Sequence, residues 1–158
     1  MFATYRKPAR RLSTALNRLN KIETISMGGC GISALAIYRW CKANNIQIKD
    51  RPFVFLWSGY YKQDAERNDT LLSEGRISDV EVPSHVVIRL YGTEFDSEGD
   101  NAGTSWNIHQ TYLLNETELL TIINESNGWN AMFDREELVP EIEQALGVDL
   151  SDVNLTNP

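Results

Sequence analysis

The sequence predicts an α+β domain in which N-terminal helices pack on a small antiparallel sheet. Three observations carry that expectation. Leu12, Ala15, Leu16, Leu19 and Ile22 recur at helical period and mark one apolar stripe. Ile32 to Lys42, rich in Ala, Leu, Ile and Trp, follows a turn of small residues and predicts a buried helix. Val86-Val87-Ile88-Arg89-Leu90, then Gly92, then Glu94-Phe95, predicts a β-hairpin.

Taken in chain order, the first helix is followed by Ser26-Met27-Gly28-Gly29-Cys30-Gly31, a glycine loop that feeds the buried helix. Asn44-Asn45 ends that helix, and the continuous apolar run from Pro52 to Trp57 predicts a buried strand. Lys62 to Asp69 reads as a loop or short helix, Ser97 to Thr104 as a polar loop, and Trp106 to Leu114 supplies a further strand. Asn115, with Glu118 three positions on and Leu119, Leu120, Ile122 and Ile123 behind it, has the pattern of a capped helix that Gly128 stops. Asp134 caps a final turn, Pro140 suits the start of a further short helix rather than an interior, and Gly147 ends it. One domain over residues 1–150 with a tail at 151–158 accounts for the chain; 42% of its residues are apolar, enough for a core.

Charge is segregated. Residues 1–22 carry six basic residues and no acid, residues 23–92 carry eight of each sign, and residues 93–158 hold fourteen acids against Arg135, for a net charge of −7. Such a balance argues against general nucleic-acid binding, which accumulates Lys and Arg contacts to phosphate. The basic start is compatible with an anion or partner contact or an organelle presequence, but its apolar stripe favours a solvated helix face. No run of eighteen apolar residues occurs, so no membrane span is expected. Cys30 and Cys41, on one helix, would stand about 16 Å apart at ~1.5 Å per residue, too far for a disulfide. Unpaired thiols suit a reducing, cytoplasmic setting.

The Gly28-Gly29-Cys30-Gly31 turn is the most informative chemical feature. It puts a thiol at the first turn of a buried helix, where free backbone N–H groups and the helix dipole favour the thiolate, and the flanking glycines let another backbone approach. Cys41, three turns on, reads as core. Of the two histidines, His85 opens the hairpin and His109 lies in the later strand or loop. A two-residue hairpin loop, whether Tyr91-Gly92 or Gly92-Thr93, sets Asp96 opposite Val87 or Arg89 and on the same sheet face as His85; a three-residue loop would separate them. Asp96 could then orient the imidazole while His85 faces the thiol.

Cys30 at a helix start, Ser84-His85-Val86-Val87 on a strand and Phe95-Asp96 on its neighbour, in that order, resemble the papain-like cysteine peptidase superfamily in its small, transglutaminase-like form. The resemblance covers residues 24–100, and the chain also looks like short proteins of this type from phages and prophages. It implies a papain-like fold with Cys30 as nucleophile, His85 as general base and acid, Asp96 as orienting residue, and a peptide or protein substrate. Papain-like enzymes usually place a Gln before the cysteine; here Glu23, Thr24, Ile25 and Ser26 precede it. That leaves the Cys30 N–H with Thr24 or Ser26 as oxyanion donors. The alternative is a binding protein without turnover on the same fold, engaging a host protein through the acidic C-terminal third.

No cofactor or metal is expected. Cys30, Cys41, His85 and His109 lack zinc-ligand spacing, the acids from Asp96 to Asp100 do not follow the EF-hand pattern, and the glycine turn lacks the Lys and Ser/Thr of a phosphate loop. Trp57, Tyr60 and Tyr61 are candidates for the wall of a substrate groove.

Overall fold

The computed structural model describes residues 3–22, 30–57, 62–76, 85–90, 92–96, 99–100, 110–125 and 134–156. Its elements run α1 (Ala3–Asn20), α2 (Cys30–Ala43), β1 (Phe53–Trp57), α3 (Lys62–Ser73), β2 (His85–Leu90), β3 (Thr93–Asp96), β4 (Gly99–Asp100), β5 (Gln110–Leu114), α4 (Glu116–Glu125) and α5 (Arg135–Leu146). The five strands form one antiparallel sheet in the order β4-β3-β2-β1-β5, so the architecture is α+β.

One row of side chains fixes the sheet's register. Phe95, Ile88, Phe53 and Leu114 stand directly across from one another on β3, β2, β1 and β5, and all four pack into the main core. Because side chains alternate with a period of two, a slip of one residue would carry every member of the row to the opposite face. Val54 and Val87 pair on that opposite face and form a small buried cluster of their own.

The helix α2 is the centre of the core. It packs on β2 and β3 and is also in contact with α1, α4 and α5. Every residue from Gly31 to Ile37 is buried, as expected of a helix that is apolar and small on all sides. The stripe on α1 is buried in full, from Leu12 to Ile22. Asn45 closes α2 in the left-handed conformation (φ 59°): its N–H donates to the Lys42 carbonyl and the Ile46 N–H to the Cys41 carbonyl, a Schellman arrangement.

Asn115 and Glu118 exchange hydrogen bonds at the start of α4, the Asn115 side chain accepting from the Glu118 N–H at 2.8 Å and the Glu118 carboxylate from the Asn115 N–H at 3.0 Å. Asp134 caps α5 by accepting from the Glu136 N–H at 2.9 Å. Gly147 ends α5 at φ 65°, as its position in the sequence implies.

Several expectations need correction. Pro140 lies inside α5, which runs unbroken from Arg135 to Leu146. The proline has no N–H for the Glu136 carbonyl, but both residues face solvent, where that carbonyl can be hydrated. Burial of Leu138, Val139, Ile142 and Leu146 on the other side holds the helix together across the break. Residues 62–73 make a helix longer than the polar composition suggests, and Gly99–Asp100 is a strand rather than loop.

Nor is the chain beyond residue 150 a tail as far as residue 154. Val153 is buried in the core, and Arg39 of α2 grips Asp152 with two parallel hydrogen bonds of 2.7 Å and the Asp149 carbonyl at 2.8 Å. Asn124 donates to the Asp152 carbonyl and accepts from the Asn154 N–H, both at 2.9 Å. The buried Arg135 bridges the Ile123 and Asn154 carbonyls. Among the described residues no helix is long and apolar enough to cross a membrane.

Deleting residues 151–158 is therefore expected to lower the unfolding free energy by roughly 2–4 kcal/mol, the sum of one buried valine and the charge-assisted bonds to Arg39. Urea unfolding measures it, and an unchanged midpoint would mean that this segment contributes nothing.

Candidate active site

Three elements bring together the residues that the sequence singles out. Cys30 is the first residue of α2, His85 the first of β2, and Asp96 the last of β3. Since the first two are end residues, thiol and imidazole meet where the helix and the strand begin.

The hairpin decides the relation of His85 to Asp96. Leu90 pairs with Thr93, Arg89 with Glu94 and Ile88 with Phe95, so the connection is the two residues Tyr91-Gly92, and Asp96 comes across from Val87. Gly92 adopts φ 76°, a conformation that side-chain-bearing residues resist. Even spacing then puts His85, Val87, Arg89, Glu94 and Asp96 on one face. Two polar pairs form there: Arg89 to Glu94 at 3.0 Å, and His85 Nε2 to Asp96 Oδ2, also at 3.0 Å.

The short strand β4 was not foreseen, and it matters here. Asp96 pairs with Gly99, and β3 lies between β2 and β4 rather than on the edge of the sheet. Ser97-Glu98, another two-residue spacing with glycine just after it, is the sequence signal that could have revealed it.

His85 and Asp96 are 14% and 13% exposed at their side chains, so their pair is largely withdrawn from water. Cys30 is only partly buried, at the margin of the core, and free. Burial by itself would lower the His85 pKa. Hydrogen bonds to Asp96 and to Cys30, together with the charges of both, outweigh it and raise the value from 6.5 to about 9. With Nε2 taken by Asp96, Nδ1 is the ring nitrogen left to face the Cys30 sulfur.

Cys41 has a different environment. It is fully buried, and desolvation pushes its thiol up to about 12, as suits a small core residue. The backbone N–H of Cys30, in the first turn of α2, has no acceptor within the helix. The other oxyanion candidates, Thr24 and Ser26, and likewise His109, Tyr60 and Tyr61, lie outside the described residues. Trp57 ends β1, paired with Gln110.

A cleft of about 580 Å³ lies elsewhere. Lys49, Arg51, Arg89, Leu90 and Gly92 help to line it, at the far end of β2 from His85 and about 17 Å away at ~3.3 Å per residue. Arg51 and Arg89 are occupied there by Glu118 and Glu94. Its lining includes neither cysteine nor histidine.

No protein-family model, curated protein or solved structure matches this chain, so the site is interpreted from its own geometry.

Because His85 binds its proton more tightly in the folded state, the pair adds stability on the order of 3 kcal/mol that is fully present below about pH 6.5. That contribution is lost as pH rises through about 9. Denaturant midpoints measured from pH 6 to 10 should fall more steeply in the wild type than in His85→Gln; parallel profiles would contradict the linkage.

Proposed function

We propose that this protein is a thiol-dependent hydrolase or acyltransferase that attacks an amide or thioester carbonyl through Cys30, His85 and Asp96, with the papain-like arrangement the sequence resembles. One observation carries the proposal. The cysteine at a helix start is electrostatically coupled to a histidine whose Nε2 lies 3.0 Å from a carboxylate. A nucleophile, a base and an orienting acid in that relation make up the constellation used for covalent acyl chemistry.

The steps follow from the parts. Cys30 passes its proton to His85, and Asp96 supports the resulting imidazolium. The thiolate adds to the carbonyl carbon, and the π pair moves onto oxygen beside the Cys30 N–H at the positive end of α2. His85 then delivers its proton to the leaving nitrogen or sulfur as that bond breaks, leaving an acyl group on Cys30 as a thioester. Water, deprotonated by His85, or an acceptor amine attacks this thioester and regenerates the thiol. Hydrolysis and transfer differ only in that last nucleophile.

A peptide or protein is the substrate class proposed, in a cytoplasmic setting where the thiol stays reduced. For a phage-type protein of this form, that setting is the host cytoplasm. A raised histidine pKa favours this function, because it keeps the proton donor charged at neutral pH for release of a poor leaving group.

Labelling with iodoacetamide, followed by peptide mass spectrometry, tests the proposal. At pH 7 Cys30 should be alkylated faster than a small free thiol, and Cys41 should not react in the folded protein. His85→Ala should slow Cys30 labelling by about tenfold or more and lower turnover of a small thioester substrate by 10²–10⁴, roughly the range of general acid–base catalysis. Cys30→Ala should abolish turnover. Labelling of Cys30 no faster than the free thiol, and indifferent to His85→Ala, would leave the binding-protein alternative in its place.

A further inference from the structure

Ser33 lies on α2 three residues beyond Cys30, one turn along on the same side of the helix. It is 3% exposed, and its hydroxyl has no hydrogen-bond partner. A hydroxyl on a helix ordinarily donates to a carbonyl three or four residues back. Thr14, Thr70 and Thr121 do so in this protein, to Arg10, Glu66 and Thr117. Ser33 does not, although burial makes an unmade bond costlier there than at those exposed positions.

The direction of the side chain is fixed by the helix. Cα–Cβ bonds lean toward the helix N-terminus, so the Ser33 side chain leans toward the turn that contains Cys30. A neutral thiol is a weak acceptor, whereas a thiolate is a charged one. We propose that the Ser33 hydroxyl donates to the Cys30 sulfur when that sulfur carries negative charge, a second donor beside His85. The inference rests on the nucleophile reading above. It gives the orphan hydroxyl a partner whenever the sulfur is ionised, both in the ion pair with His85 and when thiolate is regenerated in the reaction. The same bond assists sulfur when it leaves as a thiolate from the acyl-enzyme.

The charges held against α2 elsewhere do not compete for this role. His85 of β2, with Asp96 of β3 behind it, meets the sulfur. Arg39 is engaged with Glu116 of α4 and with Asp152, Arg11 of α1 with Asn44, and Arg135 of α5 with the Ile123 and Asn154 carbonyls.

The test is the pH profile of Cys30 alkylation by iodoacetamide from pH 5 to 9, in the wild type, Ser33→Ala, Ser33→Thr and His85→Ala. Ser33→Ala should slow labelling at pH 6 about fivefold and move the midpoint of the profile upward, the effect of one lost bond to a charged acceptor. Its thermal midpoint should be unchanged or higher, because a buried unpaired hydroxyl has been removed. Ser33→Thr, which keeps the hydroxyl, should restore most of the rate. A Ser33→Ala profile within twofold of wild type, with His85→Ala still shifting it, overturns the role of Ser33 and leaves the nucleophile intact. If His85→Ala is also without effect, both readings fall together.

Discussion

A two-residue connection between β2 and β3 is the constraint on which the site depends. With Leu90 opposite Thr93, parity places the Asp96 carboxylate on the face that carries His85. A single added residue would leave the hairpin intact and turn the acid away. The opposite row, Phe95-Ile88-Phe53-Leu114, locks the same register from the core side, since those side chains cannot exchange faces without exposing the interior. The apolar row and the polar pair are thus two consequences of one alignment, and α2, buried along most of its length, holds Cys30 against it.

The segregation of charge along the sequence acquires a structural meaning. Acids of residues 93–158 are joined to cations of residues 23–92: Glu116 and Asp152 to Arg39, Glu118 to Arg51, Glu94 to Arg89, and Asp96 to His85. Arg39 holds the Asp152 carboxyl below its ordinary range, and Asp152 in turn raises the guanidinium pKa. Part of the acidic excess therefore ties late elements of the chain to the helix and strands that carry the site.

Much of this was legible in the sequence because the signals were local and mutually consistent. The α1 stripe, the Asn115–Glu118 cap and the 86–95 hairpin each declare themselves by spacing alone. The approach of His85 to Asp96 followed from hairpin parity, a short-range rule, whereas their approach to Cys30 rested on resemblance, since no pattern in the sequence encodes how a helix tip meets a distant strand. The misses share a cause, namely burial supplied by remote partners. Pro140 sits inside a helix because Leu138, Val139, Ile142 and Leu146 anchor both sides of it. Val153 looked like part of a polar end because the core that receives it is assembled from other parts of the chain. Ser33 gave no signal beyond its three-residue spacing from Cys30, as a small residue among Ala, Leu and Ile reads as packing.

The grip of Arg39 on residues 149 and 152 has a bearing on biosynthesis. The scaffold around α2 closes only with Leu150 and Val153, more than a hundred residues after Cys30. A nascent chain emerging from the ribosome therefore carries its thiol inside an unfinished fold until residues 150–153 have followed. Cys30, His85 and Asp96 all precede residue 100, yet the packing that steadies them is completed by residues 150–153.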